Sequence, residues 1–216
     1  MNVFALISMA LQHPDVEIIE ARADVARAAD ALTPCAATEE LRRFLSWWAA
    51  EPPDALSRRY VETFDFSRRT ALDLTYYTHG DRRQRGLALL DLRRRYDAAG
   101  LELDGPELSD HLPVVLEFAA LDPEAGGEIL ADFRPVIELI RLSLERAGSP
   151  YATLLSALCR ALPGLSEDEA AELRRLALEG PPGETVGLEP FAPPEVMPDP
   201  VRPAPACSAA MTGGLR

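Results

Sequence analysis

Residues 38–64 read TEELRRFLSWWAAEPPDALSRRYVETF and contain two amphipathic helical patterns separated by a pair of prolines. Thr38 suits an N-cap position, where its hydroxyl accepts a hydrogen bond from the backbone of the first turn. Large apolar residues then recur at the spacing of one helix face, at Leu41, Phe44, Leu45 and Trp48. Pro52 and Pro53 end this helix and start another, because proline is tolerated in a first turn. The second pattern places Leu56, Tyr60 and Phe64 on one face.

The same helical periodicity continues on both sides of this stretch, and the sequence has no convincing period-two strand pattern. Residues 71–77 (ALDLTYY) are the one segment where a strand is conceivable, but its helical neighbours lead us to expect another helix. Asp110 is expected to cap a following helix, which puts Pro113 at the third helical position, where a missing N–H removes no hydrogen bond. Ser166 and Glu169 have the spacing of a capping box for the last helix.

These patterns predict an all-α fold, a single-domain helical bundle over residues 1–180. From residue 181 the composition changes, because prolines and glycines dominate and the hydrophobic periodicity stops. We predict a disordered, Pro- and Gly-rich tail over residues 181–216.

Composition and charge exclude several classes of function. The net charge of −13 disfavours nucleic acid as a partner, since most of the surface would repel phosphates, and it suits a basic or amphipathic protein segment. No apolar run approaches the roughly 20 residues that a membrane span requires. The N-terminus lacks the features of a signal peptide, and the three cysteines are far apart, as is typical of free thiols in a reducing compartment. We expect a cytoplasmic protein with no membrane insertion.

Motifs for catalysis and for metal binding are missing from the sequence. It has no nucleophile elbow, Walker loop or dinucleotide-binding glycine pattern. His13, His79 and His111 are scattered, without the spacing of a zinc site. Cys159 lies in an apolar helical stripe, which favours an inert buried thiol over a nucleophile. We therefore predict that the protein is not an enzyme and needs no cofactor or metal.

Two groups of residues have both a structural and a functional interpretation. The segment 107–113 (ELSDHLP) brings Glu107, Asp110, His111 and Pro113 to the mouth of a helix. These residues either stabilise the helix start or form polar contacts to a bound peptide. The aromatic stripe of Tyr60, Phe64, Tyr76 and Tyr77 is typical of a core but also of a half-hydrated groove. An arginine-rich helix (residues 82–95) fits a solvated face better than a phosphate site, given the net charge.

Several blocks, in order along the chain, resemble the nitrate reductase molybdenum cofactor assembly chaperones, also called the delta subunit or NarJ family. The blocks are residues 59–65 (RYVETFD), 74–81 (LTYYTHGD), 82–86 (RRQRG) and 107–119 (ELSDHLPVVLEFA). The resemblance extends over roughly residues 1–180, with the specific motifs between 59 and 120. Asp73 departs from the family pattern, since an aromatic or apolar residue is expected there. The tail after Gly180 is not part of that pattern.

The resemblance implies a helical domain of the TorD-like redox-enzyme maturation type, without catalytic turnover. It implies a chaperone that binds the catalytic (alpha) subunit of respiratory nitrate reductase, chiefly at its N-terminal segment, while the molybdenum cofactor is inserted. Such a chaperone is absent from the finished enzyme. The residues expected to bind the client peptide are Tyr60, Phe64, Glu107, Asp110, His111, Pro113 and Glu117. A hydrolase or nucleotide-using enzyme and a permanent structural subunit are the competing classes, and the oligomeric state stays open.

Overall fold

The structure is a computed structural model that describes residues 2–80 and 83–180, and over this part of the chain it contains helices and no strand. The helices are α1 (Val3–Leu11), α2 (Val16–Asp30), α3 (Ala36–Ala50), α4 (Pro53–Phe64), α5 (Tyr76–His79), α6 (Arg83–Ala98), α7 (Leu112–Leu121), α8 (Pro123–Asp132), α9 (Arg134–Arg146), α10 (Tyr151–Ala161) and α11 (Glu167–Glu179). The all-α prediction is confirmed. None of these helices is both long and apolar enough to cross a lipid bilayer.

Helix α1 lies at the centre of the bundle, in contact with α2, α3, α7 and α10. Its sequence, VFALISMAL, is apolar on nearly every face, which is typical of a helix surrounded by others. Leu6, Ile7 and Leu11 are completely buried. The hydroxyl of Ser8 donates to the carbonyl oxygen of Pro113 at 2.8 Å, which fixes α1 against the start of α7.

The stretch that predicts the fold forms α3 and α4 as expected, with both apolar stripes buried. The helix start differs, because α3 begins at Ala36 and Cys35 is its N-cap. Thr38 is the third helical residue, and its hydroxyl accepts a hydrogen bond from the N–H of Cys35 at 2.8 Å. Thr38 thus still accepts a hydrogen bond from a backbone N–H at the helix start, but it does so from the first turn and not from the N-cap position.

The helix expected over residues 71–77 is wrong. Residues 71–75 are not helical, and α5 is a single turn that begins at Tyr76. The main chain before α5 instead pairs with residues 110–112, through an isolated antiparallel bridge between Asp73 and His111. A partner that lies far away in the sequence therefore overrides the local preference.

The predicted capping role of Asp110 is also wrong. Helix α7 begins at Leu112 with His111 as its N-cap, and no side chain caps it. Pro113 is therefore the second helical residue instead of the third, a position that equally needs no N–H donor.

The start of α11 and the end of α6 have favourable capping chemistry. Ser166 and Glu169 form the predicted capping box, with Glu169 Oε2 accepting from the N–H of Ser166 at 2.7 Å. Gly100 follows α6 with φ of +74°, a conformation that favours glycine. The predicted tail from 181 to 216 lies outside the described residues.

Candidate functional site

Two loops cross beside the first turn of α7 and pair through main-chain hydrogen bonds. The N–H of Leu74 donates to the carbonyl oxygen of Asp110 at 3.1 Å. The N–H of Leu112 donates to the carbonyl oxygen of Leu72 at 2.9 Å. This antiparallel pairing brings the side chains of the two intervening residues next to each other.

Asp110 is completely buried at this crossing. Its Oδ2 accepts from the N–H of Thr75 at 2.9 Å and from the hydroxyl of Thr75 at 2.5 Å. The Nη2 of Arg85 lies 3.5 Å from the same oxygen. Within the described part of the chain, Oδ1 of Asp110 has no hydrogen-bond partner. Because a buried carboxylate needs donors and a countercharge, Asp110 fastens the segment before α5 to the start of α7.

His111 is partly exposed, and its side chain contacts Asp73 instead of the buried partners of Asp110. Its Nδ1 lies 3.1 Å from Oδ1 of Asp73, and Oδ2 of Asp73 lies 3.1 Å from Nη2 of Arg85. Burial alone would raise the pKa of the Asp73 carboxyl, but the hydrogen bonds from His111 and Arg85 and the positive charge of Arg85 outweigh burial and lower that pKa. Asp73 is therefore an ionised acceptor at neutral pH.

A groove of about 690 Å³ opens next to this crossing. The loop of residues 101–107 and helix α7 line it, together with the α1–α2 connection and the end of α4. The apolar residues that line it include Tyr60, Pro113, Val114, Phe118 and Leu121. Leu121 is 65% exposed, which is unusual for a large apolar side chain beside a cavity.

The charges around the groove are almost all of one sign. Six carboxylates line it: Asp15, Asp65, Glu102, Asp104, Glu107 and Glu117. Among the described lining residues there is no arginine, and the chain contains no lysine at all. A concave site lined by negative charges raises the local concentration of cationic ligands. The groove therefore suits a segment that is both basic and apolar.

The structure brings five of the seven predicted site residues together along this groove: Tyr60, Glu107, His111, Pro113 and Glu117. The other two do not line it. Phe64 lies behind Tyr60, with a distance of 4.9 Å between ring centroids, and Asp110 lies beneath the loop crossing. Whether any of the seven contacts a client stays a prediction.

Tyr60 forms a fixed part of the groove wall. Its hydroxyl donates to the carbonyl oxygen of Leu11 at 3.0 Å, and its ring packs nearly perpendicular to that of His13, with 5.3 Å between the ring centroids. Phe64 packs in turn against Tyr151 at 4.8 Å between centroids. The aromatic stripe is therefore a core feature over most of its length and reaches the groove at Tyr60.

The sequence interpretation missed two residues at the site, Asp73 and Arg85. Asp73 did carry a signal, because it is an acid within an otherwise apolar segment. Arg85 carried none, since it is one of six arginines in the segment 82–95 and nothing local distinguishes it. Only the fold brings Arg85 within reach of both carboxylates.

No group of three or more side chains with metal-binding geometry occurs within residues 2–80 and 83–180. Burial raises the pKa of the Cys159 thiol to about 12, so this thiol is protonated at neutral pH.

A model of the family described as "Nitrate reductase delta subunit" matches residues 28–160. A Bacillus subtilis (strain 168) protein named a probable nitrate reductase molybdenum cofactor assembly chaperone is 33% identical over 170 residues, covering 78% of this chain and 92% of that protein. The nitrate reductase molybdenum cofactor assembly chaperone of Escherichia coli (strain K12) is 33% identical over 176 residues, covering 80% of this chain and 75% of that protein.

A solved structure, named as that of a redox enzyme maturation protein from Archaeoglobus fulgidus, matches with a TM-score of 0.57. The two are 25% identical, and the match covers 73% of this chain and 90% of that one. The names of these relatives describe assembly and maturation proteins and not enzymes. The prediction that this chain is not an enzyme is confirmed by that kinship.

Proposed function

This chain belongs to the nitrate reductase delta subunit family, and from that premise we propose that it is a cytoplasmic chaperone of nitrate reductase assembly. It binds the catalytic (alpha) subunit while the molybdenum cofactor is inserted, and it leaves before the enzyme is complete. The family resemblance expected from the motifs between residues 59 and 120 is confirmed.

The observation that carries the proposal is the groove, with its apolar floor and its rim of carboxylates. The proposed occupant is the N-terminal segment of the catalytic subunit, bound as a short amphipathic element with basic residues beside its apolar face. Glu107 and Glu117 are exposed and face the basic residues. Tyr60 and Pro113 contact the apolar side.

The other predicted residues act from behind the groove surface. Phe64 supports the ring of Tyr60, and Asp110 holds the loop that carries His111. Both are thus structural supports of the site, and the client touches neither of them.

An estimate of the binding free energy is compatible with a chaperone that must release its client. Burial of roughly 300–500 Å² of apolar surface at ~25 cal/mol/Å² contributes about 7–12 kcal/mol before the costs of ordering the peptide. Those costs reduce the net affinity to a moderate, reversible value. The acidic rim chiefly accelerates the encounter.

Titration calorimetry with a synthetic peptide of the catalytic subunit's N-terminal segment tests the proposal. The double variant Glu107→Gln/Glu117→Gln should bind the peptide about 3- to 10-fold more weakly at low ionic strength, and the difference should shrink in high salt. The matched control is Asp91→Asn/Asp97→Asn, which removes two exposed charges of α6 that do not line the groove. An equal loss of affinity in the control would leave only the overall charge as an explanation.

A second experiment separates a chaperone from a permanent subunit. The finished nitrate reductase, purified from nitrate-respiring cells, should contain this chain at substoichiometric amounts or not at all. A constant one-to-one ratio in the active enzyme would contradict the chaperone proposal.

A further inference from the structure

The two ring nitrogens of His111 have different surroundings. Nδ1 lies 3.1 Å from Oδ1 of Asp73. Nε2 has no hydrogen-bond partner among the described residues, and the side chain of His111 lines the groove. One nitrogen is therefore fixed by the protein, and the other is available to a ligand.

Asp73 is itself held in place at its second oxygen. Nη2 of Arg85 lies 3.1 Å from Oδ2 of Asp73, and Nε of Arg85 donates to the hydroxyl of Thr75 at 3.2 Å. That hydroxyl donates to Asp110, which is completely buried. The orientation of the Asp73 carboxylate is thus tied to the buried part of the loop crossing.

An ionised carboxylate accepts hydrogen bonds and donates none. The hydrogen between Asp73 and His111 must therefore reside on Nδ1, and a neutral imidazole in this tautomer has its lone pair on Nε2. Without such a partner, an imidazole is free to adopt the other tautomer, in which Nε2 is a donor and would face a cationic ligand unfavourably.

We propose that Asp73 is a positioning residue, which holds neutral His111 in the Nδ1–H tautomer so that Nε2 accepts a hydrogen bond from a cationic N–H donor in the groove. The donor is an arginine or lysine side chain of the bound segment, which the six surrounding carboxylates attract. This inference rests on the proposed function for the identity of the segment, but the tautomer belongs to the free protein. Within the groove, the free-energy cost of removing water from a neutral imidazole is smaller than the cost for another carboxylate.

Nitrogen-15 NMR of the histidine side chains tests the tautomer without any ligand. The chain has three histidines, so a His111→Gln spectrum identifies the His111 signals. In the unaltered protein, neutral His111 should be protonated at Nδ1, and in Asp73→Asn the population should shift toward the Nε2–H form. Observation of neutral His111 in the Nε2–H tautomer in the unaltered protein would overturn the proposal, whatever the variants do.

Peptide titration supplies the second readout. Asp73→Asn should weaken binding of the N-terminal peptide about 5- to 10-fold, as expected for the loss of one well-placed hydrogen bond. The matched control is Asp65→Asn, which removes one carboxylate from the groove wall and leaves the contact between Asp73 and His111 in place. It should leave the tautomer unchanged and weaken binding less.

The outcomes are distinguishable. If Asp65→Asn weakens binding as much as Asp73→Asn, or if Asp73→Asn changes the tautomer without changing affinity, the acceptor role of His111 is excluded. If the unaltered protein does not bind the peptide, the proposed function fails, while the NMR result still decides whether Asp73 sets the tautomer.

Discussion

Asp110 and His111 are neighbours in the chain, yet their side chains lie in different surroundings. Asp110 is completely buried, and its partners are Thr75 and Arg85. The side chain of His111 is 19% exposed and reaches the groove. Substitutions at these adjacent positions should therefore have separable effects, one on stability and one on binding.

Asp110→Ala should lower the free energy of unfolding by about 3 kcal/mol, because it leaves Arg85 and two donors of Thr75 without their buried acceptor. His111→Gln should change the free energy of unfolding by less than about 1 kcal/mol and should weaken peptide binding instead. Urea unfolding followed by circular dichroism measures the first effect, and titration calorimetry measures the second. Equal stabilities of the two variants would show that the contacts of Asp110 with Thr75 and Arg85 do not hold the loops together.

Tyr60 and Tyr151, whose ring centroids lie 6.2 Å apart, provide a second matched pair. Tyr60→Phe should cost about 1 kcal/mol of unfolding free energy, since the hydroxyl donates to the carbonyl oxygen of Leu11. Tyr151→Phe should be neutral or slightly stabilising, because its buried hydroxyl has no partner in the described part of the chain. Urea midpoints at equal m-values compare the two variants. A larger loss for Tyr151→Phe would reveal a hidden partner for that hydroxyl.

Single residues were the hardest feature to predict from sequence. Asp110 stands two residues before a helix, where a capping role is the local expectation, and its actual partners lie 25 and 35 positions away. Asp73 departs from the apolar pattern of its segment, but its contact with His111 depends on a main-chain bridge that no local pattern encodes. Five of the predicted residues nevertheless line one groove, and their contact with a client stays a prediction.

At the scale of elements, α8 packs closely on α7, the helix that lines one side of the groove. Gly126 of α8 packs so closely on α7 that a Cβ added there would overlap the backbone of Ala119. The neighbouring residue, Gly127, has no atom within 4 Å of an added Cβ. The two glycines therefore have opposite roles in one helix.

Gly126→Ala should destabilise the protein by about 1–3 kcal/mol, because the two helices must move apart. Gly127→Ala should be neutral or stabilise it by up to about 1 kcal/mol, since alanine favours the helix and meets no obstacle. Thermal unfolding of both variants is the measurement. Similar melting temperatures in the two variants would mean that α7 and α8 do not pack as closely as described.

Elements with a strong apolar stripe were predicted well, and one element without such a stripe was not. The stripes of α3 and α4 are long enough for periodicity to identify both the helix and its buried face. Residues 71–75 are different, since their backbone N–H and C=O groups find partners in another loop. Local periodicity carries no information about such long-range pairing.

At the scale of the whole molecule, the net charge of −13 reflects an excess of acidic residues, and six of these carboxylates line the groove. Electrostatic attraction to a basic client acts over about 10 Å at moderate ionic strength, so encounter is faster than the apolar contacts alone would allow. The apolar floor then supplies most of the free energy of binding. In the proposed complex the client therefore lies within this groove.

Site-specific photocrosslinking in nitrate-respiring cells tests that location most directly. p-Benzoylphenylalanine replaces either Leu121, which lines the groove and is 65% exposed, or Leu178 of α11, which is 88% exposed and does not line it. After irradiation, mass spectrometry should find the N-terminal segment of the nitrate reductase catalytic subunit linked to position 121 and not to position 178. Equal crosslinking at both positions, or co-purification of the subunit with no crosslink at position 121, would contradict the account.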